Sequence, residues 1–211
     1  MNLAIVHVDA ELIVVNKPAG LLSVPGRGAD KQDCVVHRLQ AGGYPEALIV
    51  HRLDMATSGL LLLARGTAAQ RALSMAFEAR QVSKRYVAVV EGRLAGEVDG
   101  WQEITLPLLA DWPNRPRQKI DQLNGKPSLT RWRVLATTDT TPTLTTTRVE
   151  LAPVTGRTHQ LRVHLMALGH PIVGDALYGP PEAAAAPRLL LHASQLELPD
   201  RHLSLHCPAD F

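Results

Sequence analysis

The stretch His51–Arg65, HRLDMATSGLLLLAR, decides how this chain is read. Leu60 to Leu63 form an unbroken apolar run of strand length, as in a strand buried on both faces. His51, Arg52 and Asp54 stand just before it, followed by the polar turn Thr57-Ser58-Gly59. Burying an unpaired carboxylate is costly, so Asp54 is either neutralised by a structural partner or held there for chemistry. A carboxylate tuned by burial and a nearby cation can act as nucleophile, general base or electrostatic stabiliser. The same string also suits an ordinary turn in which Asp54 caps Ala56 or Thr57, and the residues alone leave that reading ahead.

Upstream, LAIVHVD (3–9) and ELIVVNK (11–17) are β-branched runs separated by an acidic turn, which predicts a hairpin. The segment 18–32 is punctuated by Pro18, Gly20, Pro25, Gly26 and Gly28 and reads as loop. Asp33 is placed to cap a short helix, CVVHRLQA, which Gly42-Gly43 stops. Downstream, Thr67 is an N-cap candidate for a helix with Ala69, Ala72, Leu73, Ala76 and Phe77 at helical spacing.

SKRYVAVVEGRL (83–94) and WQEITLPLL (101–109) have strand character, and a loop rich in Pro, Asn and basic residues follows at 110–128. LTRWRVLATT and TLTTTRVELAPV predict a hairpin turning at Asp139 to Pro142. The segment 155–179 opens on a cap-like threonine, continues as a helix and stops at Gly169. PEAAAAPR is a surface loop or short helix, and two strands close the chain. Strands outnumber helices and come in adjacent pairs, so the expected class is α+β. The sheet should be mixed and mostly antiparallel, flanked by helices and loops, in a single domain over 1–211.

Composition narrows the function classes. Two cysteines without metal-like spacing argue against a disulfide scaffold and fit a reducing compartment. The N-terminus lacks the basic region of a signal peptide, and no apolar run is long enough to span a membrane, so the expectation is a cytoplasmic protein. A net charge of +2 leaves the question of an acidic partner to local clusters. Lys84 and Arg85 precede Tyr86; Trp112 is followed by Arg115, Arg117 and Lys119; Trp132 lies between Arg131 and Arg133. Interleaved cations and aromatics suit phosphate contact with base stacking, and together they predict a focused basic face for RNA.

Nine histidines raise the question of a metal, but His159 and His164 are five residues apart and no glutamate follows His159. No metal is expected. The chain has no phosphate-binding glycine loop and no nucleophile elbow, so nucleotide cofactors and serine hydrolysis have no support. Arg157, at the start of the third predicted helix, is a cation able to pair with a buried carboxylate.

These segments resemble the RluA family of pseudouridine synthases. HRLDMATSGL is similar to the family's catalytic signature, NKPAGLLSVPG (16–26) to its lysine-proline motif, KRYVAVVEG (84–92) to its tyrosine segment and residues 156–179 to its arginine segment. The resemblance covers nearly the whole chain in the family's order. It implies isomerisation of uridine in RNA to the C-glycoside, without metal or organic cofactor, on a nucleotide flipped out of its stack.

It implies further that Asp54 is catalytic, that Arg157 pairs with it and holds it ionised, and that Tyr86 packs on the target base and serves as a catalytic acid or base. Arg52 would enter the space the flipped base leaves, His51 would shape the loop and Leu161 would wall the uracil pocket. Arg115, Arg117 and Lys119 would bind RNA. Many members carry an N-terminal S4 domain, which is not expected here. DWPNRPRQK, SVPGR and the closing PADF resemble the branch acting on one uridine of 23S rRNA and one in certain tRNA anticodon stem-loops. A monomer is expected. The alternatives are a family member with another rRNA or tRNA target, a non-catalytic RNA-binding protein on the same scaffold and, more weakly, a hydrolase using Asp54.

Overall fold

The computed structural model describes residues 3–96, 100–141 and 144–211. The chain divides into two units, one made of the residues up to Lys84 with His192–Asp210, the other of Arg85–Leu191 with Phe211.

The first unit opens on the expected antiparallel hairpin, β1 (Ala4–Val8) and β2 (Leu12–Lys17). Its turn is set by Asp9, whose Oδ1 accepts the N–H groups of Glu11 and Leu12 at 2.8 Å each. Helix α1 (Val35–Ala41) follows, but its N-cap is Cys34, whose Sγ accepts the His37 N–H. Asp33 does not cap it, because its carboxylate is held by the forked guanidinium of Arg38 at 2.7 and 2.6 Å. Next come β3 (Ala47–Ile49), β4 (Ser58–Arg65) and α2 (Thr67–Glu78). Gly66, not Thr67, caps α2; its φ of +83° lets the chain leave β4 and turn at once into the helix.

β4 is the centre of this unit. Gly59 to Ala64 pair with β2, from Leu12 opposite Ala64 to Lys17 opposite Gly59. The opposite edge is shared: β11 (Leu191–Leu198) runs parallel at Ser58 and Gly59, and β3 runs antiparallel at Leu63 to Arg65. β12 (Leu203–His206) pairs on β11. Leu12, Val14, Leu60, Leu62, Leu196 and Leu198 form one buried face, with Ala69 and Leu73 of α2 packed on it. Ile13, Val15, Leu61 and Leu63 on the other face are fully buried too. Both faces being covered explains an unbroken leucine run where a half-exposed strand would alternate.

In the second unit, β5 (Ser83–Glu91), β10 (Leu144–Pro153), β9 (Thr130–Thr141) and β6 (Gln102–Ile104) pair antiparallel in that order. The β9–β10 hairpin is the expected one, but Asp139 lies within β9 opposite Thr145 and not in its turn; residues 142 and 143 lie outside the described residues. The expected loop at 110–128 contains a strand, β8 (Gln118–Ile120), which pairs with β7 (Leu108–Ala110). Helix α3 (Gln160–Ala167) starts after His159, and Gly169 follows it with φ +82°, as its glycine signal predicts. Thr155 does not cap α3; its hydroxyl donates to Gln160 Oε1 at 2.7 Å. PEAAAAPR contributes a 3-10 turn at Pro181–Ala185. The described residues comprise three α-helices and twelve mostly antiparallel strands, an α+β fold. No helix among them is long and apolar enough to cross a membrane.

Candidate active site

Asp54 lies in the loop between β3 and β4, half-buried, between buried Leu53 and exposed Met55. The backbone on both sides of it is fastened. Ser23 Oγ donates to the Leu53 carbonyl at 2.8 Å and accepts the Leu53 N–H at 3.1 Å. The Met55 carbonyl accepts the Gly20 N–H at 2.8 Å and the Lys17 ammonium at 3.1 Å. Lys17 is 0% exposed and also donates to the carbonyls of Pro18 and Leu21, at 2.9 and 2.7 Å. A buried ammonium is tolerated only when its protons are matched by acceptors, and here the acceptors are the backbone that fixes the Asp54 loop. The Thr57 N–H closes the turn on the Asp54 carbonyl at 3.1 Å.

Gly59 completes the exit into β4. It has φ +109°, and a Cβ there would stand 2.3 Å from the Ala193 carbonyl oxygen of β11, so no other residue fits. Ser58 beside it bonds to His192 Nδ1 at 2.8 Å, and His192 Nε2 lies 3.1 Å from the Cys207 carbonyl.

His51 satisfies the strand itself. Along β4, backbone N–H groups point alternately to either edge; that of Arg65 goes to Glu11 on the β2 side, so that of Leu62 points to the other. There, between the segments paired with β11 and β3, His51 Nε2 accepts it at 3.1 Å. The ring stacks on Phe77 of α2 with centroids 4.4 Å apart. As an acceptor at Nε2 it is neutral with its proton on Nδ1, and burial, helped by the Lys84 charge, pushes its pKa down to about 3. Lys84 sits over the same Phe77 ring at 5.5 Å and is itself lowered by burial. Arg52, by contrast, is exposed, and among the described residues nothing engages its guanidinium.

The second unit holds the other expected residues. Tyr86 on β5 stands opposite Leu151 of β10, which stands opposite Trp132 of β9, so all three share a sheet face. That is the α3 face: Thr130, two residues from Trp132, bonds to Gln160 Nε2 and His164 Nδ1 at 2.9 Å each. Leu161 is 7% exposed on α3. Arg157 is exposed just before α3; its N–H donates to Gln160 Oε1 at 3.0 Å and its Nε to the Pro127 carbonyl at 3.2 Å. Arg115, Arg117 and Lys119 are exposed on the β7–β8 hairpin, with the Arg115 guanidinium 3.4 Å over the ring of Trp112, itself 64% exposed.

One expected basic cluster is rearranged. Trp132 is only 4% exposed and belongs to the core, because its neighbours Arg131 and Arg133 take the opposite sheet face. Arg85 and Arg133 instead flank Trp101, at 4.5 and 5.0 Å from its ring centroid. As for a metal, no group of three His, Cys, Asp or Glu gathers among the described residues. His164 bonds through Nε2 to the Leu106 carbonyl and through Nδ1 to Thr130.

Comparison with known proteins now bears on these parts. The family described as RNA pseudouridylate synthase matches residues 11–167. The chain belongs to the RNA pseudouridylate synthase family. It is 48% identical over 99% of its length to the dual-specificity RNA pseudouridine synthase RluA of Escherichia coli K12, covering 94% of that protein. It is 51% identical to the protein of the same name from Pasteurella multocida, over 92% of this chain and 85% of the relative. The solved structure of human RNA pseudouridylate synthase domain containing 1 superposes with a TM-score of 0.81 at 31% identity, covering 100% of this chain and 84% of that one. The synthase therefore isomerises uridine to pseudouridine in RNA.

The structure brings His51, Arg52 and Asp54 into one loop of the first unit, and Arg157, Leu161, Tyr86 and the basic hairpin into the second. Lys17 and Ser23 were missed as supports of the loop. A lysine closing a β-branched run and followed by proline was the available signal, since its ammonium must find buried acceptors.

Proposed function

We propose that the synthase acts on two RNA substrates, one uridine of 23S rRNA and one in tRNA anticodon stem-loops. The observation that carries the reading is Asp54, half-buried on a loop whose backbone is fastened at Leu53 and Met55. The dual specificity in the names of its RluA relatives supports the choice of substrates. The target nucleotide is flipped out of its helix, at a cost of a few kcal/mol. Exposed Arg52 reaches the space it leaves, and His51 holds the strand beneath.

Asp54 supplies the reacting carboxylate, Arg157 a cation and Tyr86 a ring for the uracil, with Leu161 as an apolar wall. The N-glycosidic bond breaks and a carbon–carbon bond forms in its place; C5 gives up its proton and N1 gains one. Arg115, Arg117 and Lys119 contact phosphates. The enzyme works as a monomer in the cytoplasm, where its free cysteines Cys34 and Cys207 stay reduced.

The test is to incubate the purified protein with transcripts of both stem-loops and map pseudouridine by chemical modification and reverse transcription. Conversion of both at one position each is expected. Conversion of only one would reduce the enzyme to a single target, and conversion of neither would overturn the substrate assignment.

A further inference from the structure

We propose that Tyr178 is a positioning residue whose hydroxyl ties the basic hairpin to the segment that presents Arg157. The proposal rests on the reading that the hairpin holds RNA. At the root of the hairpin, the Leu106 carbonyl is 3.0 Å from His164 Nε2 on α3. Farther out, the Gln118 N–H, next to Arg117, donates to the Tyr178 oxygen at 2.8 Å. The same oxygen lies 2.7 Å from His159 Nδ1, two residues beyond Arg157. Because the phenol accepts from Gln118, its own proton is available for His159. His159 is a non-glycine residue at φ +52°, a conformation that persists only when its surroundings fix it.

Tyr178 is itself held in place. Asp175 Oδ1 accepts the N–H groups of Leu177 and Tyr178 at 2.9 and 3.1 Å. Arg162 grips the same carboxylate at 2.7 Å through both Nε and Nη2, the two side chains being 5% and 0% exposed. The Arg162 guanidinium also lies 5.1 Å over the Tyr178 ring. A buried ion pair thus fixes a loop, the loop fixes a phenol, and the phenol joins the outer part of the hairpin to the segment before α3. Arg115 and Arg117 then meet RNA in a set orientation relative to Arg157.

The experiment is a cycle of Tyr178→Phe and the pair Arg115→Ala/Arg117→Ala, with stem-loop affinity measured across salt concentrations. Tyr178→Phe should weaken binding about tenfold and make the salt slope shallower by about one, with the thermal midpoint nearly unchanged. In the Arg115→Ala/Arg117→Ala background its effect should fall below about twofold, because the phenol acts through those arginines. Gln118→Pro, at the first strand position where proline is tolerated, removes the donor with Tyr178 intact and should reproduce the loss; it serves also if Tyr178→Phe does not fold. Additive losses, or a wild-type salt slope in both Tyr178→Phe and Gln118→Pro, would overturn the coupling. An unchanged slope in Arg115→Ala/Arg117→Ala would instead show that the hairpin reading beneath it is wrong.

Discussion

The Asp54 loop and the β7–β8 hairpin are built in opposite ways. The loop lies against a strand buried on both faces, and its backbone is fastened by a buried lysine, a buried serine and a glycine N–H. The hairpin is exposed, rich in arginine, and held at Leu106 and Gln118 by polar bonds to His164 and Tyr178. On the proposed function, the contrast separates two tasks. Bond making needs a carboxylate preset in position, whereas holding a polyanion needs exposed charge and is sensitive to salt.

Substitutions should therefore separate into two kinds. Outside the aspartate itself, the largest loss of rate is expected for Arg157→Lys, about 10²–10³-fold in single turnover, since an ammonium does not reproduce a planar guanidinium. A rate within threefold of wild type would remove Arg157 from the chemistry. Lys17→Met should cost about 3 kcal/mol in urea unfolding, because the buried Leu21 carbonyl and the partly buried Pro18 and Met55 carbonyls lose a donor. Turnover should fall with it; a stable, fully active variant would show that the loop does not need its fastening.

His51 predicts an acid limb. Its folded pKa of about 3 lies below the unfolded 6.5, so the unfolded chain takes up the proton first as pH falls. The stability it contributes is complete above pH 6.5 and is lost progressively toward about pH 3, roughly 2 kcal/mol of it by pH 5. His51→Ala should flatten that limb in denaturation series between pH 7 and 5, and an unaltered pH dependence would contradict the neutral imidazole bonded to Leu62. The smallest effect belongs to the hairpin: Arg115→Ala/Arg117→Ala should weaken RNA binding about tenfold at moderate salt, with unfolding unchanged. A lower unfolding midpoint would mean that these arginines support the fold.

What was legible in the sequence follows the same division. The leucine run of β4, the two hairpins and Gly169 depend on local pattern and turn chemistry, and all are found, though the second hairpin keeps Asp139 in β9 and not in its turn. The caps of α1 and α2 were misread because Asp33 has a stronger partner in Arg38 and because Gly66 turns the chain before Thr67 can. Trp132 looked like a stacking surface only until strand register assigned it to the core and left Trp101 between the arginines. The HRLD string points to Asp54, but its supports come from residues 17–23; the lysine before Pro18 signals a need for buried acceptors without revealing that Met55 supplies one. The Tyr178 bonds to Gln118 and His159 span 60 and 19 positions and were equally hidden.

The central claim is that Asp54 is the reacting group on a loop whose backbone is fastened at Leu53 and Met55 by other residues. The most direct measurement is single-turnover pseudouridine formation by Asp54→Asn at saturating enzyme, read beside its RNA affinity and thermal midpoint. The account predicts no detectable product, with affinity within about threefold of wild type and an unchanged midpoint. Product at a rate near wild type would contradict it.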